Sequence, residues 1–232
     1  MTETRSQARG GVIVAIDGPS GVGKGTAARL LSERLRVPYL DTGAMYRAVA
    51  LRVLERGASP DDEEAVVALA DEADLELELD PATGGARVLL DGEPVEDRIR
   101  SPRVGEASSR VSTYPRLRER LVALQRDFAR RHGGVLEGRD IGTRVFPETP
   151  HKFFLDARQE VRYRRRFDQL AGTGSDVTYT EVVVEIERRD QRDSHRSESP
   201  LTCDESYTQI DTSELTPEEV VERMAAAIGD GR

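Results

Sequence analysis

Lysine is scarce in this chain, and one of the few stands in a glycine-rich turn. Of 34 basic residues only Lys24 and Lys152 are lysines, and Lys24 belongs to Gly18-Pro19-Ser20-Gly21-Val22-Gly23-Lys24-Gly25-Thr26. A phosphate chain needs several backbone N–H groups converging on it, and glycines let a loop curl that closely. A helix N-terminus adds its dipole, and a lysine adds a point charge. The hydroxyl that usually follows the lysine of such a loop is displaced here, because position 25 is Gly and the hydroxyl comes at Thr26.

Three further stretches carry residue types suited to anions. They are Asp41-Thr42-Gly43-Ala44-Met45-Tyr46-Arg47, Gly138-Arg139-Asp140-Ile141-Gly142-Thr143, and Arg189-Asp190-Gln191-Arg192-Asp193-Ser194-His195-Arg196. An arginine fork grips a phosphate bidentately, and a carboxylate beside it can accept from a base amino group or orient metal-bound water. Arg189, Arg192, Asp193 and Arg196 recur at spacings of three and four, which predicts one shared helix face. Phosphoryl transfer needs positioning and charge more than covalent chemistry, so Arg, Lys and Mg²⁺ suffice without a nucleophilic side chain. His132, His151 and His195 fall on different predicted elements with no metal-ligand spacing among them, which leaves surface or capping roles. Lys152 is expected to flank a strand in solvent.

Near the start of the chain, residues 12–16 (VIVAI) form an apolar run of the kind that makes a buried parallel strand, and a helix is predicted over 24–36. A short strand follows at 39–40. Asp41 opens a second helix with Gly57 at its end, and 61–73 has the acidic first turn that helix N-termini prefer. Period two then takes over. Leu75, Leu77 and Leu79 alternate with glutamates, and 86–90 runs into Asp91-Gly92, a hairpin signal. Helices are predicted over 102–111 and 115–132, strands at 135–136 and 153–155, and two charged helices over 157–170 and 180–196 around Gly172-Thr173-Gly174. A last strand at 207–210 precedes Thr216-Pro217-Glu218-Glu219, a capping box that launches a helix to 228. Strands alternating with helices indicate an α/β fold with a parallel sheet covered on both faces, interrupted by one antiparallel insert. Ligands bind such sheets beyond the strand C-termini.

Two hundred and thirty-two residues suffice for a full hydrophobic core. No apolar run approaches a bilayer span, and the polar first eleven residues, expected to be a disordered tail, lack the apolar stretch of a secretory signal. Cys203 is the single cysteine, so neither a disulfide framework nor a thiolate zinc site is available, and a reducing cytoplasm is the expected home. The net charge of −9 argues against a nucleic-acid binder. That charge is segregated: residues 55–97 hold 15 acidic residues against Arg56 and Arg87, a net of −13, so the rest carries +4.

The loop reading GKGT resembles that of the nucleoside monophosphate kinases, and the three stretches above resemble the bacterial cytidylate kinase branch. The resemblance runs from about residue 12 to 228 and includes the antiparallel insert. It implies a single P-loop kinase domain over 12–232, with an acceptor-binding insert at about 62–112 and a lid at about 165–180. It also implies ATP-dependent phosphorylation of CMP and dCMP to CDP and dCDP by a monomer, with Mg²⁺ accompanying ATP and no metal-binding residue assigned. Gly18 to Thr26 would hold ATP. Asp41 opens the acceptor stretch, while Thr42, Arg47, Arg139 and Arg189 are assigned to the acceptor's phosphate and sugar. Ser109, Arg118 and Asp140 go to the base, and Asp193 and Arg196 lie near the ribose. Lys24 and Arg139 are expected to act in catalysis, together with one or two of Arg162, Arg165 and Arg166 closing over the transferring group.

Guanylate kinase is the nearest rival, since GPSGVGK followed by Ser and Thr is its common loop. Gly25 and the DTGAMYR and RRDQRDSHR stretches favour cytidylate kinase. A GTP switch would want an Asn-Lys-x-Asp base reader, which is impossible in a chain without Asn, and an RNA-binding module fails on charge and on 5% aromatic content.

Overall fold

The computed structural model describes residues 11–172, 174, 176–196 and 198–229. The first apolar run forms β1 (Ile13–Asp17), and the glycine-rich turn carries the chain into α1 (Lys24–Leu35). Strand β2 (Tyr39–Asp41) passes directly into α2 (Thr42–Glu55), whose first turn is capped by Asp41 accepting from the Ala44 amide at 3.2 Å. Helix α3 (Glu63–Glu72) leads to three antiparallel strands, β3 (Leu75–Leu79), β4 (Ala86–Leu90) and β5 (Glu93–Pro94). Asp91 and Gly92 both take positive φ, 54° and 79°, as a two-residue hairpin turn requires. Prolines set in the first turn start α4 (Pro102–Val111) and α5 (Pro115–His132) where the sequence places them. The remaining elements are β6 (Gly134–Gly138), β7 (His151–Asp156), α6 (Gln159–Gly172), α7 (Tyr179–His195), β8 (Thr208–Asp211) and α8 (Pro217–Gly229).

The main sheet is parallel throughout, in the order β2-β6-β1-β7-β8. Alternation along its strands divides the core. Val14, Ile16 and Val135 pack with α1 and α8, whereas Ala15, Leu40 and Leu136 pack with α5. Helices therefore cover both faces, as the strand and helix alternation predicts. A separate cluster joins α2, α3, β3, β4, α4 and α5 through Met45, Val66, Leu75, Val88, Val104 and Leu117.

Register decides where the motifs meet. Asp41 lies opposite Glu137, and Asp17 opposite Gly138, so β2, β6 and β1 end level with one another. The turns that follow these three strands hence leave from a single edge of the sheet.

Three expectations need correction or restriction. Lys152 is buried rather than in solvent: β7 lies between β1 and β8, the lysine stem packs by Gly142, and the ammonium donates to Ser206 Oγ at 3.2 Å. The expected tail, apart from Gly11, and positions 173 and 175 of the expected tip lie outside the described residues. A single π turn over Ile141–Val145, closed by the Phe146 amide on the Ile141 carbonyl at 2.7 Å, has no counterpart in the sequence reading.

Candidate active site

At Gly18, Gly21 and Gly25 of the glycine-rich turn a side chain would collide with its surroundings. Gly21 has φ 81°, and a Cβ there would lie 2.7 Å from the Arg162 carbonyl oxygen on α6. Gly25 faces β6, where a Cβ would lie 2.9 Å from Glu137 Oε1 and 3.4 Å from the Tyr39 hydroxyl. Lys24 is buried under the loop, and its ammonium donates to the carbonyls of Gly18 at 2.8 Å and Pro19 at 2.7 Å. Burial, reinforced by Arg139, pulls its pKa down to about 7 against the opposing pull of Glu137. Thr26 is exposed on the first turn of α1.

Around this loop stands a basic cluster interleaved with carboxylates. Arg139, leaving β6, donates to Asp193 Oδ2 at 2.8 Å and to Ser20 Oγ at 3.0 Å. Arg189 lies one turn before Asp193 on α7, at 3.9 Å, and its buried Nε has no hydrogen-bonding partner among the described residues. Burial and Arg139 both push the Arg189 pKa down, which marks a site with cations in excess. Arg47 pairs with Asp41 at 3.0 Å, and Thr42 donates to the Glu137 carbonyl at 2.7 Å. Glu137 accepts from the Tyr39 hydroxyl; burial and Asp41 raise its pKa while Lys24 lowers it.

A second cluster lies on the far side of Arg139. Asp140 and Arg118 form a buried ion pair, with Arg196 Nη2 3.7 Å from the other oxygen of Asp140. Arg118 also donates to the Ser112 carbonyl at 3.0 Å and lies 5.5 Å from the centre of the Tyr46 ring. Ser109 is buried on α4, and its hydroxyl has no hydrogen-bonding partner among the described residues. The result is a buried polar cluster in which a carboxylate acceptor lies beside a guanidinium donor, next to the edge that carries the glycine-rich loop.

The sequence pattern of the cytidylate kinases matches residues 14–230. The chain belongs to the cytidylate kinase family. It is 48% identical over 217 residues to a cytidylate kinase of Caldanaerobacter subterraneus subsp. tengcongensis, covering 94% of each chain. A cytidylate kinase of Corynebacterium glutamicum is 48% identical over 216 residues, covering 93% of each chain.

Within this cytidylate kinase chain, the three α6 arginines divide. Arg162 is buried and reaches the loop, donating to the Ser20 carbonyl at 3.1 Å and pairing with Asp190. Arg165 holds Thr212, through its hydroxyl at 3.0 Å and its carbonyl at 2.7 Å, and touches the loop only at the Val22 carbonyl, at 3.5 Å. Arg166 turns to Gln169 at 3.1 Å and to Glu185 at 3.7 Å. Arg192, expected on the same face as Arg189 and Asp193, donates to the Arg188 carbonyl on its own helix at 3.3 Å, and Arg196 follows the last turn as its C-cap.

Four residues beside the cleft escape the sequence reading as site residues. Glu137, Tyr46 and Asp190 lie within or next to the quoted stretches, so proximity to a motif is their signal. Asp17 directly precedes the loop. Its carboxylate is fully buried and accepts from the Ile141 amide at 2.9 Å, the Gly142 amide at 2.8 Å and the Tyr207 hydroxyl at 2.7 Å. It thereby fastens the π turn that follows Asp140 to the base of the loop. No helix among the described residues is long and apolar enough to cross a membrane.

Proposed function

We propose that this protein transfers the γ-phosphoryl group of ATP to the phosphate of CMP or dCMP, giving ADP with CDP or dCDP. The observation that carries the reading is the meeting, around Arg139 and Asp140 after β6, of the glycine-rich loop with its arginines and the buried Asp140–Arg118 pair.

In this reading the loop from Gly18 to Thr26 holds the ATP phosphates, with Lys24 swinging from the Gly18 and Pro19 carbonyls to the phosphate oxygens. Arg47, Arg139 and Arg189 bind the acceptor phosphate, which is itself the nucleophile, while Asp41 and Thr42 hold the first turn of α2 against β6. Asp193, paired with Arg139, and Arg196 lie beside the ribose. Arg162 reaches the transferring group. Charge neutralisation at fixed donors supplies the catalysis. The insert at 62–112 and the lid at 165–180 close over the nucleotides so that CMP rather than water receives the phosphoryl group.

Mg²⁺ fits the donor set. Asp41 and Glu137 are register neighbours at the mouth of the loop, and Mg²⁺ takes one or two carboxylates together with substrate phosphates. No group of three His, Cys, Asp or Glu residues suited to holding a metal by itself occurs among the described residues. When bound, the ion would neutralise phosphate charge. The excess acid of the chain and its single cysteine favour a cytoplasmic monomer that takes no nucleic acid.

A coupled assay of ADP formation, with ATP and each of CMP, dCMP, UMP, AMP and GMP in turn, tests the reading. CMP and dCMP should be turned over far faster than the rest. Faster turnover of GMP or AMP would overturn it.

A further inference from the structure

Asp190 stands outside the roles given so far, yet it touches two parts of the machinery. One carboxylate oxygen pairs with Arg162 Nη1, and the other accepts from the backbone amide of Ser20, inside the phosphate loop, at 3.3 Å. The same Arg162 nitrogen donates to the Ser20 carbonyl at 3.1 Å. Ser20, Arg162 and Asp190 thus form a closed ring of contacts drawn from the loop, the first turn of α6 and the penultimate turn of α7. The ring is tight because Gly21 lies against the backbone of Arg162, where any Cβ would come within 2.7 Å of the carbonyl oxygen. Among the described residues the buried Arg162 Nε has no hydrogen-bonding partner, so this guanidinium keeps an unused donor.

From this we infer that Asp190 is a positioning residue for phosphoryl transfer, acting through Arg162. An arginine side chain carries large rotamer freedom, and a guanidinium that is to stabilise developing charge must already be held when the reaction begins. Ser20 alone offers a single carbonyl. The Asp190 carboxylate adds a charge-assisted bond that fixes the plane of the fork, and its second oxygen ties that plane to the loop that grips ATP. Asp193, one turn further along α7, does not duplicate the role, since it serves Arg139 and Arg189.

The inference rests on the kinase reading above, and its test separates the two. Steady-state rates with ATP and CMP are measured for the wild-type chain, Asp190→Ala, Asp190→Asn, Arg162→Met and the double variant Asp190→Ala/Arg162→Met, with melting recorded for each. Failure of the wild type to phosphorylate CMP would sink the kinase reading itself. With an active wild type, Asp190→Ala should lower kcat by about 10- to 100-fold, the scale of a misplaced catalytic group, while KM for CMP stays within about twofold. Asp190→Asn, which keeps an acceptor oxygen, should retain more kcat than the alanine variant. The double variant should fall no further than Arg162→Met alone. Losses that multiply in the double variant, or a kcat for Asp190→Ala within about twofold of wild type, would overturn the inference. Should Asp190→Ala fail to fold, Asp190→Asn takes its place in the cycle: a double variant no slower than Arg162→Met supports the inference, and multiplying losses overturn it.

Discussion

At the phosphate end of the cleft, the groups aimed at an anion are the amides of a single turn with Lys24 folded beneath them. At the base end, Ser109, Arg118, Asp140 and Arg196 arrive from four separate segments. The first construction needs only a strand, glycines and a helix that follow one another in the chain. The second exists only after α4, α5, the π turn and the end of α7 have packed. Charge differs as well. At the phosphate end burial, and after it the neighbouring Arg139, depress the pKa of Lys24 and Arg189, whereas at the base end Asp140 faces both guanidinium groups. In the proposed function one end receives several negative charges, and the other reads a neutral ring by its pattern of donors and acceptors.

Breaking the phosphate end should cost the most. Lys24→Ala should lower kcat by about 10²- to 10³-fold or more, with far-UV circular dichroism and melting nearly unchanged, because it removes charge stabilisation of the transferring group. A variant that keeps most of its kcat would contradict the assignment. The cation excess also has a signature at equilibrium. Lys24, with its pKa near 7, is largely neutral near pH 8.5 in the free protein, and a triphosphate beside it favours the ammonium form. ATP binding near pH 8.5 should therefore take up close to one proton, read as a difference in calorimetric heat between buffers of unlike ionisation enthalpy, and Lys24→Gln should abolish the uptake. Proton release would contradict it. The same shift has a definite sign for stability: between about 7 and the unfolded value of 10.5 the unfolded chain binds more protons, so this group makes stability rise with pH across that window.

A smaller contrast uses two glycines. Gly25→Ala pushes a methyl toward Glu137 and Tyr39 and should cost about 1 kcal/mol, whereas Gly105→Ala, in mid-helix on α4 with open space around it, should stabilise by about 0.5–1 kcal/mol. Denaturant titration of the two variants checks the opposite signs. A stabilising Gly25→Ala would show that the loop does not need its glycine there.

The same contrast separates what is legible in the sequence from what is not. The phosphate loop, the prolines that start α4 and α5, and the turn at Asp91-Gly92 depend on near neighbours, and the sequence places them closely. The π turn does not, because the carboxylate that holds the Ile141 amide belongs to Asp17, 124 positions earlier in the chain. Lys152 is misplaced by the sequence for a related reason: a strand's edge or centre position is a property of the sheet order, which no local pattern contains. At the site, the arginines are legible as types at helical spacing, but their partners are not. Only packing shows that Arg162 pairs with Asp190 at Ser20, while Arg165 is anchored mainly on Thr212.

In the proposed function, cytosine is read by Asp140 and Arg118 rather than by the phosphate end. Cytosine presents an amino donor beside an unprotonated ring nitrogen, and uracil reverses both, so the wrong base leaves a buried polar group unpaired at a cost of about 1–3 kcal/mol. The direct measurement is kcat/KM for CMP and for UMP in the wild type, Asp140→Ala and Arg118→Met. The wild type should prefer CMP by at least about tenfold, and the preference should fall in both variants. Since Asp140 and Arg118 also pair with each other, a merely structural pair would lower both nucleotides by the same factor in both variants, and that result would contradict base reading by this pair.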